Sequence, residues 1–185
     1  MTVSTFRFVK NKKMKDYTSL LQPDTFYHIY NRAHGKEKLF LNHENYKFFL
    51  LKYQHYIFPI ANTYCYCLMP NHFHFLIKFK EEYQLDQLTK CKSIKSAEYL
   101  SAQFNSLFNS YSKAFNKKYG RKGSLFMRQF KRRKIDNMHS LRKIIHYIHR
   151  NPVESQLCLS PEEWKYSSYK KIISEKESSL ENPND

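Results

Sequence analysis

Apolar and polar positions recur along this chain with two different periods, and together they predict seven elements. Thr25-Phe26-Tyr27-His28-Ile29-Tyr30 is rich in aromatic residues with two β-branched ones, side chains that suit a pleated, half-buried surface, so it predicts a strand. Gly35 follows in a turn. From Asn42 or His43, Tyr46, Phe49, Leu50 and Tyr53 recur at helical spacing to about Phe58, and Pro59 comes next. Asn62 to Leu68 is a second β-type run, Met69-Pro70-Asn71 a turn, and His72 to Phe79 a third strand. Strand alternation puts Phe73, Phe75, Ile77 and Phe79 on one face and His72, His74, Leu76 and Lys78 on the other.

Residues 84–118 carry Leu85, Leu88, Ile94, Ala97, Leu100, Phe104, Leu107, Phe108, Tyr111 and Phe115, a helical pattern in one or two pieces. Gly120 to Gly123 is a loop, and 126–136 is expected to be a strand. Asn137 or Ser140 caps a last helix, expected to end near Asn151 because Pro152 disfavours helical geometry in the residue before it. The order strand, helix, strand, strand, helix, strand, helix predicts an α+β fold, a ferredoxin-like (RRM-like) antiparallel sheet flanked by helices. One domain is expected over residues 21–173. Before it comes a basic arm, 1–20, with Lys10, Lys12, Lys13 and Lys15; after it comes a polar, acidic tail, 174–185, expected to lack order.

Composition narrows the class. At 185 residues the chain fits one core, and 15 Tyr plus 15 Phe against 3 Gly exclude a collagen-like, low-complexity or wholly disordered chain. No apolar run approaches the ~18 residues of a membrane span. The first residues, Met1 to Arg7, lack an apolar core for a secretory signal, so a cytoplasmic location is expected. Cys65 and Cys67 are expected to point to opposite faces of one strand; with Cys91 and Cys158 they make a poor disulfide framework and suggest reduced thiols. The formal charge of +16 points to a polyanionic partner, and nucleic acid fits best.

Three groups of residues could carry chemistry. His72 and His74 share a strand face, a natural spacing for two metal ligands, though two surface histidines would look the same. Tyr147 and Asn151 lie four apart on the last helix. At about 100° per residue they fall on one flank of the stripe formed by Leu141, Ile144, Ile145 and Ile148, while His146 and His149 fall on the other. A phenol and an amide could thus face the histidine pair; an edge tyrosine that merely packs its ring would leave the same trace. Third, Lys113, Lys117, Lys118, Arg121, Lys122, Arg128, Lys131, Arg132, Arg133 and Lys134 fall in one stretch with no acidic residue, interleaved with Phe115, Tyr119, Phe126 and Phe130. Cations that track phosphates and rings that stack bases suit single-stranded nucleic acid; a solvated basic face is the plainer alternative. There is no G-x-x-x-x-G-K-[ST], G-x-G-x-x-G or H-E-x-x-H motif, and Cys65-Tyr66-Cys67 lacks the spacing of a zinc knuckle.

Met69-Pro70-Asn71-His72-Phe73-His74-Phe75-Leu76, followed by Tyr147-Ile148-His149-Arg150-Asn151-Pro152-Val153, resembles the single-tyrosine HUH transposases, and within them the REP-associated tyrosine transposases and their insertion-sequence relatives. Tyr27-His28-Ile29-Tyr30-Asn31-Arg32, Phe115-Asn116-Lys117-Lys118-Tyr119-Gly120 and Trp164-Lys165-Tyr166-Ser167-Ser168-Tyr169 add to the likeness, which runs over about residues 24–170. Phe126 stands where the pattern of relatives has Trp. The resemblance implies a ferredoxin-like fold and metal-dependent nicking and joining of single-stranded DNA, with hairpins as the recognised structures. It implies His72 and His74 as ligands of Mg²⁺ or Mn²⁺, Asn151 as the polar third ligand, and Tyr147 as the nucleophile that forms a 5′-phosphotyrosine intermediate. A homodimer is one assembly it implies, with Tyr147 acting in its own subunit or in its partner's. The residues by themselves also admit a non-catalytic, RRM-like binder of single strands, and a metal-dependent nuclease that uses water.

Overall fold

In the computed structural model, which describes residues 20–88 and 96–174, four strands form one sheet. These are β1 (Phe26–Arg32), β2 (Ala61–Met69), β3 (His72–Phe79) and β4 (Lys131–Ile135). Their order is β2-β3-β1-β4, and every neighbouring pair is antiparallel. The helices are α1 (His43–Ile57), α2 (Glu82–Leu88), α3 (Ser96–Lys118) and α4 (Met138–Glu154). This is the α+β ferredoxin-like arrangement expected from the element order. No described helix is long and apolar enough to cross a membrane.

The two faces of the sheet are buried against different layers. Tyr27, Ile29, Phe73, Phe75, Ile77 and Phe79 point into a large aromatic core with Phe49 and Tyr53 of α1 and Phe104, Phe108 and Tyr111 of α3. Tyr53 lies flat on Phe75 at 4.0 Å, and Phe49 meets Tyr111 edge-on at 5.1 Å. Each such ring contributes ~1.5–3 kcal/mol by leaving water. The opposite face carries Cys65, Cys67, Met69, Leu76 and Ile135, covered by Leu141 and Ile148 of α4. Both cysteines therefore point the same way, contrary to expectation: alternate strand positions share a face, and a single residue separates the two. They are free thiols, as is Cys158; Cys91 lies outside the described residues, as do Ile94, nearly all of the expected arm and the tail beyond residue 174.

Helix starts follow their caps. Asn42 Oδ1 accepts from the Asn45 amide at 3.2 Å and Asn137 Oδ1 from the Ser140 amide at 2.8 Å. The helical stretch expected over 84–118, in one or two pieces, is described as α2 and α3, with 89–95 outside the described residues. Two boundaries differ from expectation. Helix α4 runs through Pro152 to Glu154. A proline lacks the N–H that would bond back one turn, here to the Ile148 carbonyl, but this falls in the last turn and the ring is buried, so the helix continues. The strand expected over 126–136 shrinks to β4. Ahead of it, Phe126 makes only an isolated bridge to Ala33, and its ring packs 5.0 Å from Phe108 in the main core, filling an aromatic position.

Two further contacts place the working face. At the β2–β3 turn, the Pro70 carbonyl accepts from the Leu39 and Phe40 amides and the Asn71 carbonyl from Ala33. At the outer edge of β2, residues 166–168 add a short pairing: Leu68 N–H donates to Tyr166 and Ser168 N–H to Tyr66. Tyr166 stacks on Tyr46 at 3.5 Å, and Trp164 Nε1 donates to the Leu68 carbonyl.

Candidate functional site

Strand β3 turns His72 and His74 toward α4. In register, β1 sets Arg32 opposite His72, Tyr30 opposite His74 and His28 opposite Leu76. Tyr147 and Asn151, one helical turn apart on α4, come down on this patch within the same chain. Asn151 Oδ1 lies 3.1 Å from His72 Nε2, and Asn151 Nδ2 lies 3.3 Å from His74 Nε2. The Tyr147 ring stands edge-on to His74 at 5.4 Å and to His28 at 6.1 Å. The structure thus brings together His72, His74, Tyr147 and Asn151, whereas His146 and His149 lie on the other flank of α4. There His149 is buried with Nε2 3.0 Å from Ser168 Oγ.

Burial sets the protonation of these groups. It holds His72 below the ordinary imidazole value, with Arg32 adding repulsion against Asn151's opposing hydrogen bond. It pushes His74 well below that value, helped by its imidazole neighbours, and His28 down to about 3, helped by Arg133. All three rings are neutral at pH 7, the form that binds metal. Burial raises the Tyr147 phenol, against a lowering hydrogen bond from Asn151, so the hydroxyl keeps its proton at neutral pH.

The donor set is suited to a divalent cation. His72 has an oxygen near each nitrogen, Asn71 Oδ1 at 2.7 Å from Nδ1 and Asn151 Oδ1 at 3.1 Å from Nε2. A neutral ring has one N–H, so as placed one of these contacts sets two lone pairs against each other. A cation at Nε2, with Asn151 Oδ1 as a second donor, relieves that opposition. Among the described residues no group of three His, Cys, Asp or Glu gathers to hold a metal, so a third protein donor beside the two imidazoles would have to be the Asn151 amide oxygen. Two imidazoles and an amide oxygen leave positions open for water or phosphate oxygens, and the nitrogen donors favour Mn²⁺ as much as Mg²⁺.

The patch opens into a cleft of about 790 Å³ lined by Tyr30, Arg32, His72, His74, Arg128, Lys131 and Tyr147 among others. The expected basic run divides around it. Arg128 and Lys131 line the cleft, and Arg133, opposite His28, shares its face of β4. Arg132 points to the other face, over the Phe130 ring at 5.2 Å. Lys134 bonds Gln22 Oε1 and pairs with Asp136. Arg121 pairs with Glu37 and donates to the Gly123 and Ser124 carbonyls, so it ties the 120–124 loop together. Lys113, Lys117 and Lys118 lie on α3, against the opposite layer, and Lys122 is exposed in the loop.

Sequence reasoning about the site missed His28, whose Nε2 lies 3.0 Å from His74 Nδ1. Its alternation with Tyr30 was visible, but the pairing of β1 with β3 is a long-range fact that spacing along the chain does not carry.

The buried imidazoles also make stability pH-dependent. His149 is held to about 4 and His28 to about 3, against an ordinary value of 6.5. Below that value the unfolded chain binds more protons than the folded one, so stability falls as the pH drops from 6.5 toward the folded values. Each group contributes about 1.4 kcal/mol per pH unit across its window. Urea melts in the presence of EDTA should give a lower midpoint at pH 5 than at pH 7. An equal midpoint would mean that these rings are not held neutral.

No family model and no curated protein matches the chain. Among solved structures, it is similar to a REP-associated tyrosine transposase bound to a REP hairpin. The TM-score is 0.61 at 15% identity, over 87% of this chain and 86% of that one. The likeness is one of fold: this chain shares the architecture of that transposase.

Proposed function

We propose that this protein nicks and rejoins single-stranded DNA as an HUH-type tyrosine transposase, with hairpin DNA as its partner and a divalent ion, Mg²⁺ or Mn²⁺, as its cofactor. The observation that carries this reading is the convergence of Tyr147 and Asn151 from α4 on His72 and His74 of β3, at the floor of a cleft edged by Arg128 and Lys131. The structural neighbour, bound to a REP hairpin, supports it at the level of the fold.

In this reading His72, His74 and Asn151 hold the ion, which when bound supplies positive charge to polarise the scissile phosphate. Arg128 and Lys131 lay the backbone along the cleft. Tyr147 Oη attacks phosphorus, the bond to the 3′ oxygen breaks, and the phenol proton is balanced by the proton that the departing 3′ hydroxyl carries. One phosphodiester is exchanged for another, so the reverse step can join a different 3′ end without an energy donor. That agrees with the absence of a nucleotide-triphosphate loop from the sequence.

An RRM-like binder would use its open sheet face as a stacking platform. Here α4 packs on that face through Leu141 and Ile148, which favours the catalytic reading. The test is to incubate the protein with single-stranded hairpin DNA and Mg²⁺ or Mn²⁺, then denature. A conjugate mapped to Tyr147 supports the proposal. Cleavage without a conjugate would mean a water-using nuclease, and binding without cleavage would mean a binding module.

Replacing Arg128 and Lys131 together by Ala should weaken single-strand binding and flatten its salt dependence by about 1.4 in log–log slope, ~0.7 for each charge. Fluorescence anisotropy across a salt series measures it. An unaltered slope would place the strand elsewhere.

A further inference from the structure

We propose that His28 is a positioning residue: it takes the Nδ1 proton of His74 in a hydrogen bond and so presents the His74 Nε2 lone pair to the Asn151 amide N–H or, in its place, to a bound cation. The inference rests on the metal-holding role given above to His74. His28 Nε2 and His74 Nδ1 are 3.0 Å apart, and both residues are only 5% exposed, so bulk solvent has little access to the pair. The direction of the bond follows from the far side of the His74 ring. Asn151 Nδ2, which can only donate, lies 3.3 Å from His74 Nε2. Nε2 is therefore the acceptor, the neutral ring carries its proton on Nδ1, and His28 Nε2 receives it. The partner ring His72 has a counterpart at its own Nδ1, Asn71 Oδ1 at 2.7 Å. Each imidazole thus has an acceptor behind it on Nδ1 and its Nε2 turned toward one amide.

The backbone makes His28 well placed for this. It sits two residues before Tyr30 on β1, and Tyr30 is the registered partner of His74. The diagonal neighbour on an antiparallel pair is within reach of a ring. The Tyr30 ring, 4.8 Å from His28 and 5.5 Å from His74, lines the other side. Outer partners of metal-binding histidines fix tautomer and ring orientation, and their loss costs roughly 10–100-fold in metal affinity.

The experiment has two readouts. In metal-free, ¹⁵N-histidine-labelled protein, long-range ¹H–¹⁵N spectra should show His74 as the Nδ1–H tautomer. Mn²⁺ titrated by calorimetry should then bind His28→Leu roughly 10–100-fold more weakly than wild type. His28→Gln, whose Oε1 can accept the same proton, should recover most of the loss. Circular dichroism melts on both variants show that each is folded. A metal-free His74 in the Nε2–H form overturns the assignment, and so does a folded His28→Leu that binds Mn²⁺ as wild type does. A wild-type protein that binds no Mn²⁺ while His74 shows Nδ1–H removes the metal reading but upholds the tautomer assignment.

Discussion

Tyr147→Phe will form no denaturant-resistant conjugate with single-stranded hairpin DNA, while binding it within a few-fold of wild type. The substitution removes one oxygen and keeps the ring that stands 5.4 Å from His74 and 6.1 Å from His28, so the packing that seats α4 on the sheet stays. Affinity is retained because it comes from the cations at the cleft rim, which phenylalanine does not touch. Covalent capture vanishes because the phenol oxygen that would attack phosphorus is gone. Tyr30 lines the same cleft and is the natural control: Tyr30→Phe should keep the conjugate. Gel analysis after boiling in detergent, with the adduct mapped by mass spectrometry, reads both. A conjugate formed by Tyr147→Phe, or lost in Tyr30→Phe alone, would move the nucleophile off α4.

The second large effect concerns the imidazoles. His72→Ala combined with His74→Ala should lose divalent-ion binding and cut nicking by at least about a thousandfold. A bound cation is worth several kcal/mol of charge stabilisation at a phosphoryl centre, and each 1.36 kcal/mol is about tenfold. DNA affinity should again change little. His74 is buried against His28 and Asn151, so the double variant can lose stability as well. His72→Gln with His74→Gln, which keeps volume and hydrogen-bonding capacity, should then be folded by its melting curve and still fail to nick. Nicking at the wild-type rate by either double variant would reduce the two histidines to bystanders.

Much of this arrangement was legible along the chain. Alternation in β3 separates Phe73, Phe75, Ile77 and Phe79, which enter the aromatic core, from His72 and His74, which do not. Helical periodicity in α4 put Tyr147 and Asn151 on one flank and His149 on the other, and side-chain caps marked where helices begin. Local rules failed where tertiary context decided. Pro152 did not end α4, since it falls in a last turn that packing sustains. The cationic run looked like one surface, yet β4 sends Arg133 and Arg132 to opposite faces, and Arg121 is held by Glu37. His28 became visible only once β1 lay beside β3.

Helix α4 is fastened along both sides, by Asn151 to the two β3 histidines and by His149 to Ser168 in the segment that edges β2. Tyr147, mounted on such a beam, has little travel. If Tyr147 carries a covalently held 5′ end, that end stays parked over the imidazoles. Choosing a new 3′ partner then becomes a matter of threading another DNA segment to a stationary post, and loosening the His149–Ser168 rivet should blur where the junction forms.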